Sequence, residues 1–276
     1  MPEPPGPREE LDPGFDIAET LTLLSTGTIE VEGRLVDASN ATLLGRITLD
    51  GVTVDCVYKP VRGERPLWDF PDGTLAGREV ATYLLDQATG WCQVPPTVLR
   101  DGPFGVGMCQ LWIHTEDISE LVDLIPRNAV PAGWRAIVGG TDPTGREVVL
   151  AHADDVRLRR LALLDVVANN ADRKGGHLLL TGHGALYGVD HGLSFHTEDK
   201  LRTLLWGWAG EPLAEDEREV LRRVRAELDA ELGEALAEHV RPREVKAARL
   251  RLDRLLREDV FPQPGGRWPA VPWPAF

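Results

Sequence analysis

Apolar and polar residues alternate in three successive runs near the start of the chain, TIEVEGRLV (28–36), LLGRITL (43–49) and VTVDCVYKP (52–60). That is the two-residue period of β-strands, and the turn chemistry between the runs, DASNAT and then Asp50-Gly51, predicts an antiparallel meander with a tight second hairpin. Ile17 to Ser25 reads as one short helix ahead of it. From Leu75 to Gly90 the spacing becomes helical, with Val80, Tyr83, Leu84 and Ala88 on one face and Gly90 as a stop. VPPTVLRDGPFGVGMCQLWI (94–113) predicts two more strands, bracketed by proline and glycine.

Beyond Ile113 a polar linker leads to a predicted hairpin, AIVGGTDPTGREVVLAH (136–152), and to a helix from about Asp154 through Ala168. The apolar face of that helix is Val156, Leu161, Leu164, Val167 and Ala168, which predicts burial. Later, Leu221, Val224, Leu228, Leu232 and Leu236 form the stripe of one helix, and Val245, Leu252 and Leu256 that of a second. The final stretch, PQPGGRWPAVPWPAF (262–276), has too many prolines for regular helix or central strand. The pattern therefore predicts an α+β protein in two lobes: a tail over 1–16, a β-rich lobe with one helix over 17–113, and a mostly helical lobe over 114–276.

Composition narrows the function. With 276 residues and 42% apolar content the chain can fill a real core. A net charge of -14 argues against a broad nucleic-acid footprint, which needs a basic face. Cys56, Cys92 and Cys109 form no CxxC pair, which predicts reduced, buried thiols and a cytoplasmic protein. The first residues, MPEPPGPREELDPGFD, have no basic start or apolar core, and no run approaches the roughly 20 residues needed to span a bilayer, so membrane contact is not indicated.

The chemistry concentrates in DVVANNADRKGGHLLLTGHGALYGVDHGLSF (165–195). Asp172 follows an apolar helix and stands in a polar, glycine-containing loop. Arg173 beside it could brace the loop or neutralise charge. His177 comes five residues after Asp172, and Asp190 thirteen after that, behind a short strand. Helix, loop, short hairpin and Asp-x-Gly is the order of a kinase catalytic loop and metal-binding loop. Four histidines, His177, His183, His191 and His196, lie within twenty residues, but they lack the helical pair or cysteine partner of a zinc site.

NNADRKGGHLLL followed by YGVDHGLSF resembles the phosphatidylinositol 3- and 4-kinase superfamily, especially the type II 4-kinases, and more distantly the HipA-like protein kinases. The whole chain also looks like a bacterial family related to these kinases. The resemblance implies a two-lobed protein-kinase-like fold with ATP between the lobes. It makes Asp172, within Asn170-Ala171-Asp172-Arg173, the catalytic aspartate, His177 the auxiliary metal position and Asp190 the main metal ligand. VDASNATLL looks like the loop over the phosphates, through Ser39, Asn40 and Ala41. CVYKP matches the strand of the ATP-binding lysine, here Lys59, and GREVATYLL the helix whose glutamate, Glu79, orients it. MCQLWI resembles the strand leading to the adenine hinge near Gln110, Leu111 and Trp112. Roughly residues 30 to 195 are covered, in order.

His177 departs from the usual asparagine, and imidazole favours softer divalent ions, so Mg2+ and Mn2+ both stay open. His191, inside the Asp-x-Gly motif, reads as a packing residue. The expected partners are ATP and a hydroxyl-bearing acceptor, protein or small soluble molecule in preference to phosphoinositide. The readings set against a kinase are a nucleotide-binding pseudokinase, a zinc enzyme and an AMP transferase.

Overall fold

The computed structural model describes residues 16–34, 41–65, 67–70 and 74–276. The chain falls into two units, one made of residues 1–65 and 96–114, the other of 66–95 and 115–276.

In the first unit, helix α1 (Ile17–Thr26) precedes strands β1 (Thr28–Arg34), β2 (Leu43–Leu49), β3 (Val52–Pro60), β4 (Thr97–Gly102) and β5 (Gly105–Leu111). The strands form one antiparallel sheet in the order β1-β2-β3-β5-β4. Asp50 (φ 50°) and Gly51 (φ 85°) both take left-handed backbone, the turn that matches the twist of a two-residue hairpin. Leu23 and Leu24 of α1 pack on Ile47, Val54, Cys56, Tyr58 and Cys109 of one sheet face. The C-terminal end of α1 leaves carbonyls without helical partners, and Arg100 of β4 donates Nη1 to Leu24 O at 2.9 Å and Gly27 O at 2.7 Å. Alternation along β3 then sets Lys59 on the opposite side from Cys56 and Tyr58, half-buried and across from Met108.

In the second unit, α2 (Leu75–Thr89) is buried on nearly every face and packs on helices α3 (Val156–Ala168), α4 (Glu215–Glu227) and α5 (Glu231–Ala237). A small antiparallel sheet, β6 (Val122–Pro126), β7 (Trp134–Thr141) and β8 (Glu147–Ala153), runs in the order β6-β8-β7, and β9 (Leu178–Leu180) with β10 (Leu186–Gly188) forms a short hairpin. Helix α6 (Pro242–Glu258) packs on α3, α4 and α5. Its Arg251 donates to Val167 O at 3.1 Å at the end of α3, and burial lowers that guanidinium to about 10. His152 of β8 and Trp208 stack with ring centroids 4.5 Å apart, and burial lowers the imidazole, keeping it neutral.

The α+β architecture and the strand and helix pattern agree with expectation in most places. The differences have physical reasons. The helix expected in the β-rich lobe, α2, groups with the helical unit because its partners are α3, α4 and α5. The stripe from Leu221 to Leu236 is two helices, since Asp229 and Ala230 turn the chain and Leu228 O accepts Arg249 Nε at 2.9 Å. Spacing along α6 buries Leu255 and leaves Leu256 half-buried. Val156 opens α3 and is 56% exposed. Cys92, in left-handed backbone (φ 55°) just past the cap of α2, is exposed. Strand β6 lay unnoticed in the polar linker. No described helix is long and apolar enough to cross a membrane. The expected tail over 1–16 falls outside the described residues apart from Asp16, whose carboxylate caps α1 by accepting Ala18 N–H at 3.0 Å.

Candidate functional site

Helix α3 ends at Asn169, in left-handed backbone (φ 56°), and this reversal starts the loop that carries Asp172. The loop's polar side chains fix it on both sides. Asn169 Nδ2 donates to His196 O (3.0 Å) and Glu198 O (2.6 Å), and its Oδ1 accepts Lys200 N–H at 2.9 Å. Asn170 Nδ2 donates to Asp165 Oδ1 at 2.9 Å, and its Oδ1 accepts Asp172 N–H at 3.0 Å. That last bond is an Asx turn, a local bond that sets the direction of the next residue.

Arg173 turns inward and is fully buried. Its Nε and Nη2 donate to the two oxygens of Asp165, each at 2.9 Å, a bidentate pair in which neither side chain touches solvent. Nη1 donates to His177 O (3.2 Å) and Val189 O (2.9 Å), and Nη2 also reaches His191 Nε2 at 2.6 Å. All five guanidinium N–H groups thus have acceptors, which is the condition for tolerating a buried charge. Because His191 Nε2 accepts there, its ring proton is assigned to Nδ1. Arg173 therefore ties the end of α3, the loop and the β9–β10 hairpin together. It braces the loop from within.

Asp172 stays half-exposed at the loop surface, with Lys174 Nζ 3.2 Å from Oδ2. The hairpin returns the chain so that Asp190, in left-handed backbone (φ 60°) and 49% exposed, has Oδ2 3.3 Å from His177 Nε2. Burial lowers the His177 imidazole, against the opposing pull of Asp190, so it is held neutral. His177 Nδ1 is buried with no hydrogen-bond partner among the described residues. A neutral imidazole beside a carboxylate is a donor pair that suits a divalent cation. No group of three or more His, Cys, Asp or Glu side chains among the described residues is set to hold a metal. Glu79 of α2, 2% exposed, accepts the His191 N–H on Oε2 at 2.8 Å, so this carboxylate braces the Asp-x-Gly segment itself.

The second unit thus brings Asp172, Arg173, His177, Asp190 and Glu79 into one connected network. In the first unit, Lys59 sits on β3. Gln110 is buried and donates Nε2 to Thr97 Oγ1 at 2.8 Å, and the N–H groups of Leu111 and Trp112 are given to Pro96 O and Asp55 O, each at 3.0 Å. Ala41 N donates to Gly63 O at 3.4 Å, while Ser39 and Asn40 lie outside the described residues. Asp165 was missed as a member of the network. A lone acid inside the apolar run LALLDVVA was the available signal for Asp165, since a buried carboxylate requires a partner.

No protein-family model matches the chain. Protein Rv2133c of Mycobacterium tuberculosis (strain ATCC 25618 / H37Rv) is 49% identical over 263 residues, which cover 92% of this chain and 94% of that protein. Among solved structures, the Helicobacter pylori proinflammatory kinase CtkA aligns with a TM-score of 0.43 and 9% identity, over 86% of this chain and 94% of that one.

Proposed function

The chain belongs to the family of the Mycobacterium tuberculosis protein Rv2133c, and for this chain we propose an ATP-dependent phosphotransferase acting on a hydroxyl acceptor. The observation that carries the reading is Asp172 held at the loop surface by the buried Arg173–Asp165 pair while the hairpin returns Asp190 to His177. The order of elements and the roles implied by the kinase resemblance support it.

In this reading Asp172 orients the acceptor hydroxyl and takes its proton as the acceptor oxygen bonds to the γ-phosphorus. The bond to the bridging oxygen breaks and ADP leaves. Lys59 would neutralise phosphate oxygens, with Ser39, Asn40 and Ala41 over the phosphates and Gln110, Leu111 and Trp112 near adenine. His177 and Asp190 would hold Mg2+ or Mn2+, which when bound screens phosphate charge. The acceptor is a protein, this chain included, or a soluble small molecule in preference to a phosphoinositide.

Incubation with γ-labelled ATP and either metal is expected to label an acceptor or the chain itself, and Asp172→Ala to lower the rate by roughly 100-fold or more. Tight ATP binding with no transfer would instead support the pseudokinase reading. Label transferred from α-labelled ATP would indicate AMP transfer.

A further inference from the structure

The last two residues of the segment 268–276, WPAVPWPAF, meet the loop that carries Asp172 at Gly175, and the earlier ones contact Lys200, Thr203 and Trp206. Gly175 N–H donates to Ala275 O at 2.8 Å, and the Phe276 ring is so close that a Cβ on Gly175 would stand 2.3 Å from its Cδ1. Further along, Ala270 O accepts both Thr203 N–H at 3.0 Å and Trp206 Nε1–H at 2.8 Å. At the start of the segment, Lys200 Nζ lies 4.5 Å from the Trp268 ring centroid.

The direction of these bonds is uniform, because in each the body donates and the segment accepts. A proline-rich stretch is suited to that, since proline has no N–H to satisfy and prefers an extended form. The contact surface is shallow: within the segment only Pro272 is buried, and Trp273 is 91% exposed. A few anchors of this kind are displaceable. The segment also contains no Ser, Thr or Tyr.

We propose that the Gly175 face of this loop is a seat for extended, proline-rich peptides bearing an aromatic residue, and that the chain's own 268–276 segment fills it in cis. Gly175 adjoins Lys174, which contacts Asp172, so a hydroxyl-bearing peptide in the seat is a phosphoryl acceptor; this last part rests on the phosphotransferase reading. The resident segment, having no hydroxyl, occupies the seat without being consumed.

The test uses the full chain and a fluorescein-labelled synthetic peptide of residues 268–276, followed by anisotropy without ATP. A tethered segment competes at an effective concentration in the millimolar range, so Phe276→Ala is expected to bind the peptide roughly tenfold or more tightly than wild type. Adding Gly175→Ala to that variant is expected to abolish binding, since the new Cβ occupies the ring's place. Equal binding by wild type and Phe276→Ala, or binding that survives Gly175→Ala, overturns the seat.

Ring proton resonances of an isotope-labelled wild-type chain give an answer without a variant. Saturating unlabelled peptide is expected to move those of the resident Phe276 toward the values of a free chain, and unchanged resonances overturn the proposal. A peptide with Ala275→Ser that binds yet takes no label from γ-labelled ATP leaves the seat standing and counts against the phosphotransferase reading.

Discussion

Asp172 and Arg173 are neighbours in sequence with opposite fates: one remains at the surface and the other is sealed inside. Removing one member of a buried ion pair strands the other's charge, at a cost of about 3–5 kcal/mol. Arg173→Ala is therefore expected to lower stability by about that much in urea unfolding at neutral pH, and replacing Asp165 and Arg173 together by leucine to recover a large part of it. Lys174→Ala breaks a partly exposed pair and is expected to cost less than about 1 kcal/mol, so an effect on activity without one on stability would mark Lys174 as acting on Asp172. Motif order was enough to single out Asp172, His177 and Asp190 as candidates. It could not show that Arg173 is buried, because that depends on Asp165, eight residues back in the last turn of a helix whose rotation only packing fixes.

At the scale of elements, α2 offers two tests. A Cβ on Gly77 would stand 2.4 Å from His239 O, which is backbone and yields little. Gly77→Ala is expected to destabilise by about 1–3 kcal/mol despite alanine's better helix propensity, as thermal unfolding would show. Asp86 is buried, with Oδ2 accepting Val94 N–H at 2.8 Å, and desolvation raises its carboxyl to about 7. The folded chain then keeps a proton that the unfolded chain loses near pH 4. Stability contributed by that proton is complete below about pH 4 and is lost as pH rises toward 7, by at most about 1.4 kcal/mol per pH unit. Asp86→Asn keeps an acceptor for Val94 and is expected to flatten that slope and raise stability at pH 8.

The elements most legible in the sequence were those with a local cause. Alternation and the Asp50-Gly51 turn specify β1 to β3, and Gly90 stops α2. What stayed hidden was set at a distance: β6 pairs only with β8, and the break between α4 and α5 is sealed by Arg249 of α6.

For the whole molecule, nucleotide binding has a thermodynamic signature that needs no turnover. A ligand at a hundred times its Kd stabilises the fold by about 2.7 kcal/mol, so ATP with Mn2+ or Mg2+ is expected to raise the melting temperature, and Lys59→Ala to remove the shift. The change of period along the chain separates the run of strands at its start from the helices that follow. Membership of α2 was not readable, since its own sequence gives an apolar face and says nothing of whose core that face enters.

Residues 66–95 interrupt the first unit in sequence and fold with the second, and this has a consequence for synthesis. Helix α2 leaves the ribosome with nearly all its faces apolar or destined for burial, while its partners run from Val156 to Ala237. At about 5–20 residues per second it waits on the order of ten seconds for them. Through that interval its unsatisfied surface is a ready target for chaperones and for neighbouring nascent chains, so yield in a cell should depend on translation speed between α2 and α5.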